Sequence, residues 1–205
     1  MKNISIPLII AVLLMLSSCS LFSDDYKRNI EAERQTKDST FLIKSESPLS
    51  DSQIALFTGL NYYRVKKKFV FEAQLEKLTE EQIIKLKTST DRLPEYKIYA
   101  YVYFDYHGKK QKLTAYQSLD HQLDSENGNL LFLPFTDNNS TITTYGGGRY
   151  VDFEIPDGDS FILDFNKAYN PYCAYNHKWS CVIPPSENAL NIAINAGEKI
   201  YHTNH

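Results

Sequence analysis

The residues with most chemical potential crowd between Tyr145 and Asn176. Gly146, Gly147 and Gly148 are followed directly by Arg149. Consecutive glycine amides can form a concave nest for an anion, and a guanidinium beside it can grip a carboxylate or phosphate with two parallel hydrogen bonds. The string is not a dinucleotide or phosphate-loop fingerprint, because it lacks the G-x-G-x-x-G spacing and the G-K-S/T ending. The alternative is a tight turn into a strand, with Arg149 paired internally to Asp152, Asp164 or Glu187. Asp164 alternates with Leu163 and Phe165 and so faces away from them, beside Ile162 and Asn166; an acid half-buried there needs a partner. Asp164-x-Asn166 lacks the glycine and distal glutamate of a calcium loop. Tyr169, Tyr172 and Tyr175 recur every third residue, and Pro171 forbids a regular helix through them. With Tyr145, Asn166 and Asn170, their hydroxyls either line a polar pocket or satisfy buried backbone.

Three cysteines complete the set. Cys19 closes Leu16-Ser17-Ser18-Cys19, after a positive start at Lys2 and an apolar run from Ile4 to Leu16. That run is short for a membrane span and suits a signal-peptide core. The string is similar to a bacterial lipobox, which implies an acylated Cys19 and membrane lipid as a partner. Cys173 and Cys181 then remain as a pair. They read as a disulfide in an exported protein, as buried structural thiols, as metal ligands with His177, or as a nucleophile with a nearby base.

These residues must be positioned by the rest of a 205-residue chain, enough for one domain plus a tail. Hydrophobic residues are 42% of it, and the net charge of −3 argues against a nucleic-acid binder. Fifteen tyrosines against one tryptophan lean towards strands. The expected organisation is a signal peptide over 1–18, a tether and the start of a helix over 19–40, and a single β-rich domain over 41–205. Tyr26 and Ile30 mark a weak apolar stripe in the second part. Ser50 and Gln53 have capping-box spacing, which predicts a short helix over about 51–57. Period-two alternation follows in FVFEAQLE, KIYAYVYFDY and QKLTAYQSL, the last two joined by a turn at HGKK. NLLFLPF, RYVDFEI and SFILDF predict further strands, and ALNIAINA predicts a closing one. Closely spaced strands without intervening amphipathic helices predict a mainly β fold, an antiparallel barrel- or sandwich-like sheet with one or two short N-terminal helices.

The strings TYGGGRYVDFEIP, LDFNKAYNPYCAYN and WSCVIPPSENALNIAINAGE resemble the family catalogued as domain of unknown function 1684. SPLSDSQIALFTGLNYYRV and KTSTDRLPEYKIYAYVYF fit more loosely, and the resemblance extends from about Asp25 to Glu198. It implies a β-rich fold, the two cysteines without a requirement for His177, and no established activity. The leading expectation is a lipid-anchored protein of the cell envelope holding a small polar or anionic ligand between the Gly146–Arg149 turn and the Tyr169–Asn176 loop. It calls for no cofactor and no metal. One alternative is a hydrolase or transferase using Asp164 or Cys173 with Arg149. A second is a purely structural or interaction lipoprotein.

Overall fold

The structure is a computed structural model. It describes the backbone of residues 6–120 and 128–201, with side chains from residue 24 onward. The fold is mainly β. Six strands form one antiparallel sheet: β1 (Val70–Lys85), β2 (Glu95–Tyr106), β3 (Lys109–Ser118), β4 (Leu130–Phe135), β5 (Arg149–Glu154) and β6 (Ser160–Asp164). Their order in space is β5-β4-β3-β2-β1-β6. The β2–β3 hairpin turns on His107 and Gly108, with φ of 53° and 72°. Two positive φ values in a two-residue turn match the twist of the flanking strands.

The order forces the sheet to curl. Strands β5 and β6 follow one another in sequence yet occupy opposite edges. Laid flat, six strands would separate those edges by roughly 24 Å at about 4.8 Å per strand. The connector over residues 155–159 reaches roughly 20 Å when fully extended. Curling closes the gap, and the rings of Phe153 and Phe161 stack at 4.1 Å between the two edges. The result is a half-barrel. One sheet face presents Ala73 and Leu75, Val102 and Phe104, Leu131 and Leu133, and Leu163 to the main core.

Irregularities assign side chains to the other face. A register shift between Ile98 and Ala100 turns Ile98 out of the main core, so that it packs with Tyr116 in a second apolar cluster. Strands β3 and β4 share one paired position, Tyr116 with Phe132. Beside it, buried Asn188 acts as a surrogate backbone. It accepts from Thr114 N at 2.7 Å and donates to the carbonyls of Thr114 at 2.9 Å and Pro134 at 2.7 Å.

Helix α1 spans Ile6–Phe41. The segment expected to be a tether is therefore helical, and from Tyr26 onward it is docked on the sheet. Ile30 and Phe41 are buried, and Tyr26, Ile30, Arg34, Lys37 and Phe41 recur at helical spacing on the contact face. Arg34 donates to the carbonyls of Tyr63 at 2.9 Å and Asn166 at 3.1 Å. Lys37 pairs with buried Glu198 at 2.5 Å. One of the N-terminal helices is thus long, not short. Helix α2 (Asp51–Leu56) carries the expected capping box between Ser50 and Gln53. Among the described residues, no helix is long and apolar enough to cross a membrane. The side chain of Cys19 lies outside the described residues.

ALNIAINA is a correction. It is extended, with Leu190, Ile194 and Ala196 buried, but it forms a single bridge, Thr136 with Ala189, and no strand. Its alternate carbonyls are taken by Arg149 instead of a neighbouring strand.

Candidate functional site

The glycine–arginine turn is closed. Arg149 is 1% exposed. Its guanidinium donates to the carbonyls of Ile194 at 3.0 Å and Glu198 at 3.1 Å, and to that of Ala196. It meets the buried carboxylate of Asp137 at 3.5 Å. The carbonyls of residues 194 and 196 project to one side of an extended run, and the bend at Gly197, with φ of 73°, brings that of Glu198 to the same fork. Burial lowers the Arg149 pKa while Asp137 raises it, and the guanidinium stays charged. The internal partner is Asp137, not Asp152, Asp164 or Glu187. The strand pleat explains the difference from Asp152: residues 149, 151 and 153 face the core, and residues 150 and 152 face the other way. The glycines serve close packing. Gly148 has φ of +86°, and a Cβ there would lie 2.5 Å from Pro184 and 2.7 Å from the Phe135 carbonyl.

Most of the other expected binding residues are also internal fasteners. Asp164 accepts from Tyr26 Oη at 2.7 Å and from Asn166 N at 2.9 Å. Asn166 further bridges both backbone polar groups of Lys66. Asn170 donates from its amide nitrogen to the Lys199 carbonyl at 2.8 Å and from its backbone to Glu198 at 2.9 Å. Tyr175 also donates to Glu198, at 2.5 Å. Glu198, only 1% exposed, is the hub that ties α1 to the Tyr169–Tyr175 loop, and no sequence pattern marked it. Asp164, Arg149 and Cys173 are each held by a different set of partners.

Tyr169 and Tyr172 do reach open space. They line a cleft of about 550 Å³ on the sheet face opposite the main core. Its floor is an aromatic belt drawn from β2, β4, β5 and the loop after β6. Tyr96 packs on Phe132 at 5.6 Å, Phe132 on Tyr150 at 4.7 Å, and Tyr150 on Tyr169 at 5.7 Å. Tyr172 and Trp179, 5.2 Å apart, form the outer wall. Asp152 enters from β5 and accepts a hydrogen bond from Tyr169 Oη at 2.5 Å. Lys37 reaches in from α1, 4.8 Å from the Tyr169 ring centre. Arg92 stands at the rim, bonded to the Ser180 carbonyl at 2.9 Å. Burial, then Asp152, holds the Tyr169 phenol well above its ordinary range; burial does the same for Tyr150. Sequence reasoning missed Tyr96, Phe132, Tyr150 and Trp179. The available signal was aromatic residues at strand positions where an open sheet face would carry polar ones, together with the lone tryptophan.

The two downstream cysteines meet at this cleft, and both are free thiols. Cys181 lines the cleft wall, and its sulfur accepts the Cys173 backbone N–H at 3.1 Å. Cys173 is buried and takes the Tyr145 hydroxyl at 3.6 Å. Contact with Cys181 pulls the Cys173 thiol down, and contact with Cys173 pushes that of Cys181 up. His177 does not join them: among the described residues no three His, Cys, Asp or Glu side chains are grouped to hold a metal ion.

Residues 55–199 match the family described as Protein of unknown function (DUF1684). The chain belongs to this family. The matched segment runs from the end of α2 through the Arg149 clasp, and it holds both cysteines and the aromatic belt. Among solved structures, a similar one is the solution NMR structure of the uncharacterized protein from gene locus rrnAC0354 of Haloarcula marismortui. It is similar to this chain at 33% identity and a TM-score of 0.67, over 86% of this chain and 95% of that one. No curated protein matches the DUF1684 chain.

Proposed function

We propose that this is a lipid-anchored protein of a bacterial cell envelope that binds a small ring-bearing molecule with an anionic group in the aromatic cleft. The observation that carries the binding reading is the belt from Tyr96 to Tyr169, which keeps apolar rings open beside Arg92, Lys37 and Asp152. A sheet face with no ligand to meet would carry polar side chains there. Rings take an apolar body by stacking, Arg92 meets a carboxylate, sulfonate or phosphate, and Asp152 selects for a donor. The ligand site is moved from the Gly146–Arg149 turn, which is closed, to the opposite sheet face. Anchoring rests on the lipobox-like string ending at Cys19. Because α1 is docked from Tyr26, an acyl chain on Cys19 would hold the domain roughly 10 Å of helix from the bilayer.

Trp179 is the only tryptophan in the sequence, so it reports directly on the cleft. The probe is 8-anilinonaphthalene-1-sulfonate, an aromatic anion. Saturable energy transfer from Trp179 is expected, weakened about fivefold by Tyr172→Ala for one lost ring contact, and further by Arg92→Gln. Unchanged affinity in both variants refutes the cleft. Labelling with a palmitate analogue, lost in Cys19→Ser, tests the anchor; equal labelling of both chains refutes it.

A further inference from the structure

We propose that Cys173 and Cys181 are a reactive dithiol that exchanges with disulfides entering the cleft, with Cys181 attacking and Cys173 resolving. The assignment rests on placement. Two free thiols eight positions apart meet at the edge of a cleft, where the Cys173 backbone nitrogen lies 3.1 Å from Cys181 Sγ. Cys181 faces the cleft, while Cys173 lies behind it and is 7% exposed. Each sulfur already has a donor aimed at it. The Cys173 N–H points to Cys181 Sγ at 3.1 Å, and the Tyr145 hydroxyl to Cys173 Sγ at 3.6 Å. Such donors stabilise the thiolate, the form that attacks, and also the sulfur that leaves.

Cys181 is held from behind. Its N–H donates to Ser89 Oγ at 3.2 Å, and its carbonyl accepts the Ser89 N–H at 2.9 Å. Cys173 sits on the single turn Tyr172–Ala174, next to Pro171. A purely structural pair needs neither a cleft-facing sulfur nor a donor on each.

The exchange balances with a low-molecular-mass disulfide as oxidant. Cys173 is the more acidic thiol and Cys181 the more accessible one, so Cys181 first passes its proton to the Cys173 sulfur. The Cys181 thiolate then attacks one sulfur of R–S–S–R, forming a mixed disulfide and expelling one thiolate, which takes up a proton. Cys173 then loses its proton and attacks Cys181 Sγ, expelling the second thiolate. Starting from one thiolate and one thiol, the protein gains a disulfide by losing two electrons and one proton, and the external disulfide becomes two thiols by taking those electrons, that proton and a second proton from water. The cleft serves only as the approach for this reactant, so the proposal stands or falls separately from aromatic-anion binding.

The test uses the full chain, reduced in detergent, freed of reductant and exposed to oxidised glutathione. Peptide mapping is expected to find a Cys173–Cys181 disulfide with no glutathione retained on either residue. In Cys173→Ser, glutathione should stay on Cys181. In Cys181→Ser, the buried Cys173 should react at least about tenfold more slowly. Separate mixed disulfides at the two cysteines in the unsubstituted chain overturn the proposal, and so does a native rate no faster than that of the urea-unfolded chain. The mapping on the unsubstituted chain needs no variant, so a folding defect in either substitution does not rescue the idea.

Discussion

Replacing Arg149 with methionine keeps much of its volume and removes its donors. Three carbonyls, those of Ile194, Ala196 and Glu198, then lose their partner together with the Asp137 ion pair. Asp137 is not wholly stranded, because it still accepts the Ile194 N–H at 2.7 Å and the Asn139 amide at 3.2 Å. Breaking one side of a buried pair costs about 3–5 kcal/mol, and a buried carbonyl left unpaired costs about 1–3 kcal/mol where water cannot reach it. The segment over residues 190–198 lies in no strand, so it can shift and give its carbonyls to water, which leaves the ion-pair figure as the main cost. We expect a loss of about 3–5 kcal/mol and a fall in Tm of roughly 6–20 °C for a chain of this size. Urea unfolding followed by Trp179 emission and circular dichroism measures it. Arg149→Lys should recover only part, since an ammonium cannot reproduce the planar fork. A loss under about 1 kcal/mol would show that the clasp does not hold the C-terminal segment. Normal stability with abolished anion binding would return Arg149 to the ligand site.

Two more outcomes follow from the same geometry. The phenols of Tyr150, Tyr169 and Tyr175 have folded pKa values raised above their unfolded value, mainly by burial; their stabilisation is complete below about pH 10 and falls by up to about 1.4 kcal/mol per pH unit per phenol above it. Phenolate absorbance should show these groups ionising only together with unfolding, and a smooth titration of every tyrosine near pH 10 in the folded protein contradicts this. Gly148→Ala should cost about 2 kcal/mol or more, because a Cβ at φ of +86° meets the Phe135 carbonyl at 2.7 Å as well as Pro184; an unchanged denaturation midpoint would refute the close approach.

What could be read in advance was what local chemistry fixes. Alternation of period two marked β1, β2 and β3 because a half-buried strand must alternate. HGKK marked the hairpin because the turn needs positive φ, and Ser50 with Gln53 marked α2 because a helix start leaves N–H groups unpaired. ALNIAINA shows where alternation runs out. It has the pattern of a strand, but pattern does not say whether the carbonyls meet another strand or a guanidinium. The candidate site was misplaced for a related reason. Residue type made Gly146–Arg149 look like an anion nest, and only the fold supplies the three carbonyls and Asp137 that close it. The aromatic belt was invisible because Tyr96, Phe132, Tyr150 and Tyr169 come from three strands and a loop, and adjacency between strands depends on sheet order. The sequence by itself determined the family and the β class. Tertiary structure decided that one strand pleat sends Arg149 into the core and Asp152 into the cleft. Side-chain direction flips with each residue, and which face stays open depends on what the rest of the chain covers.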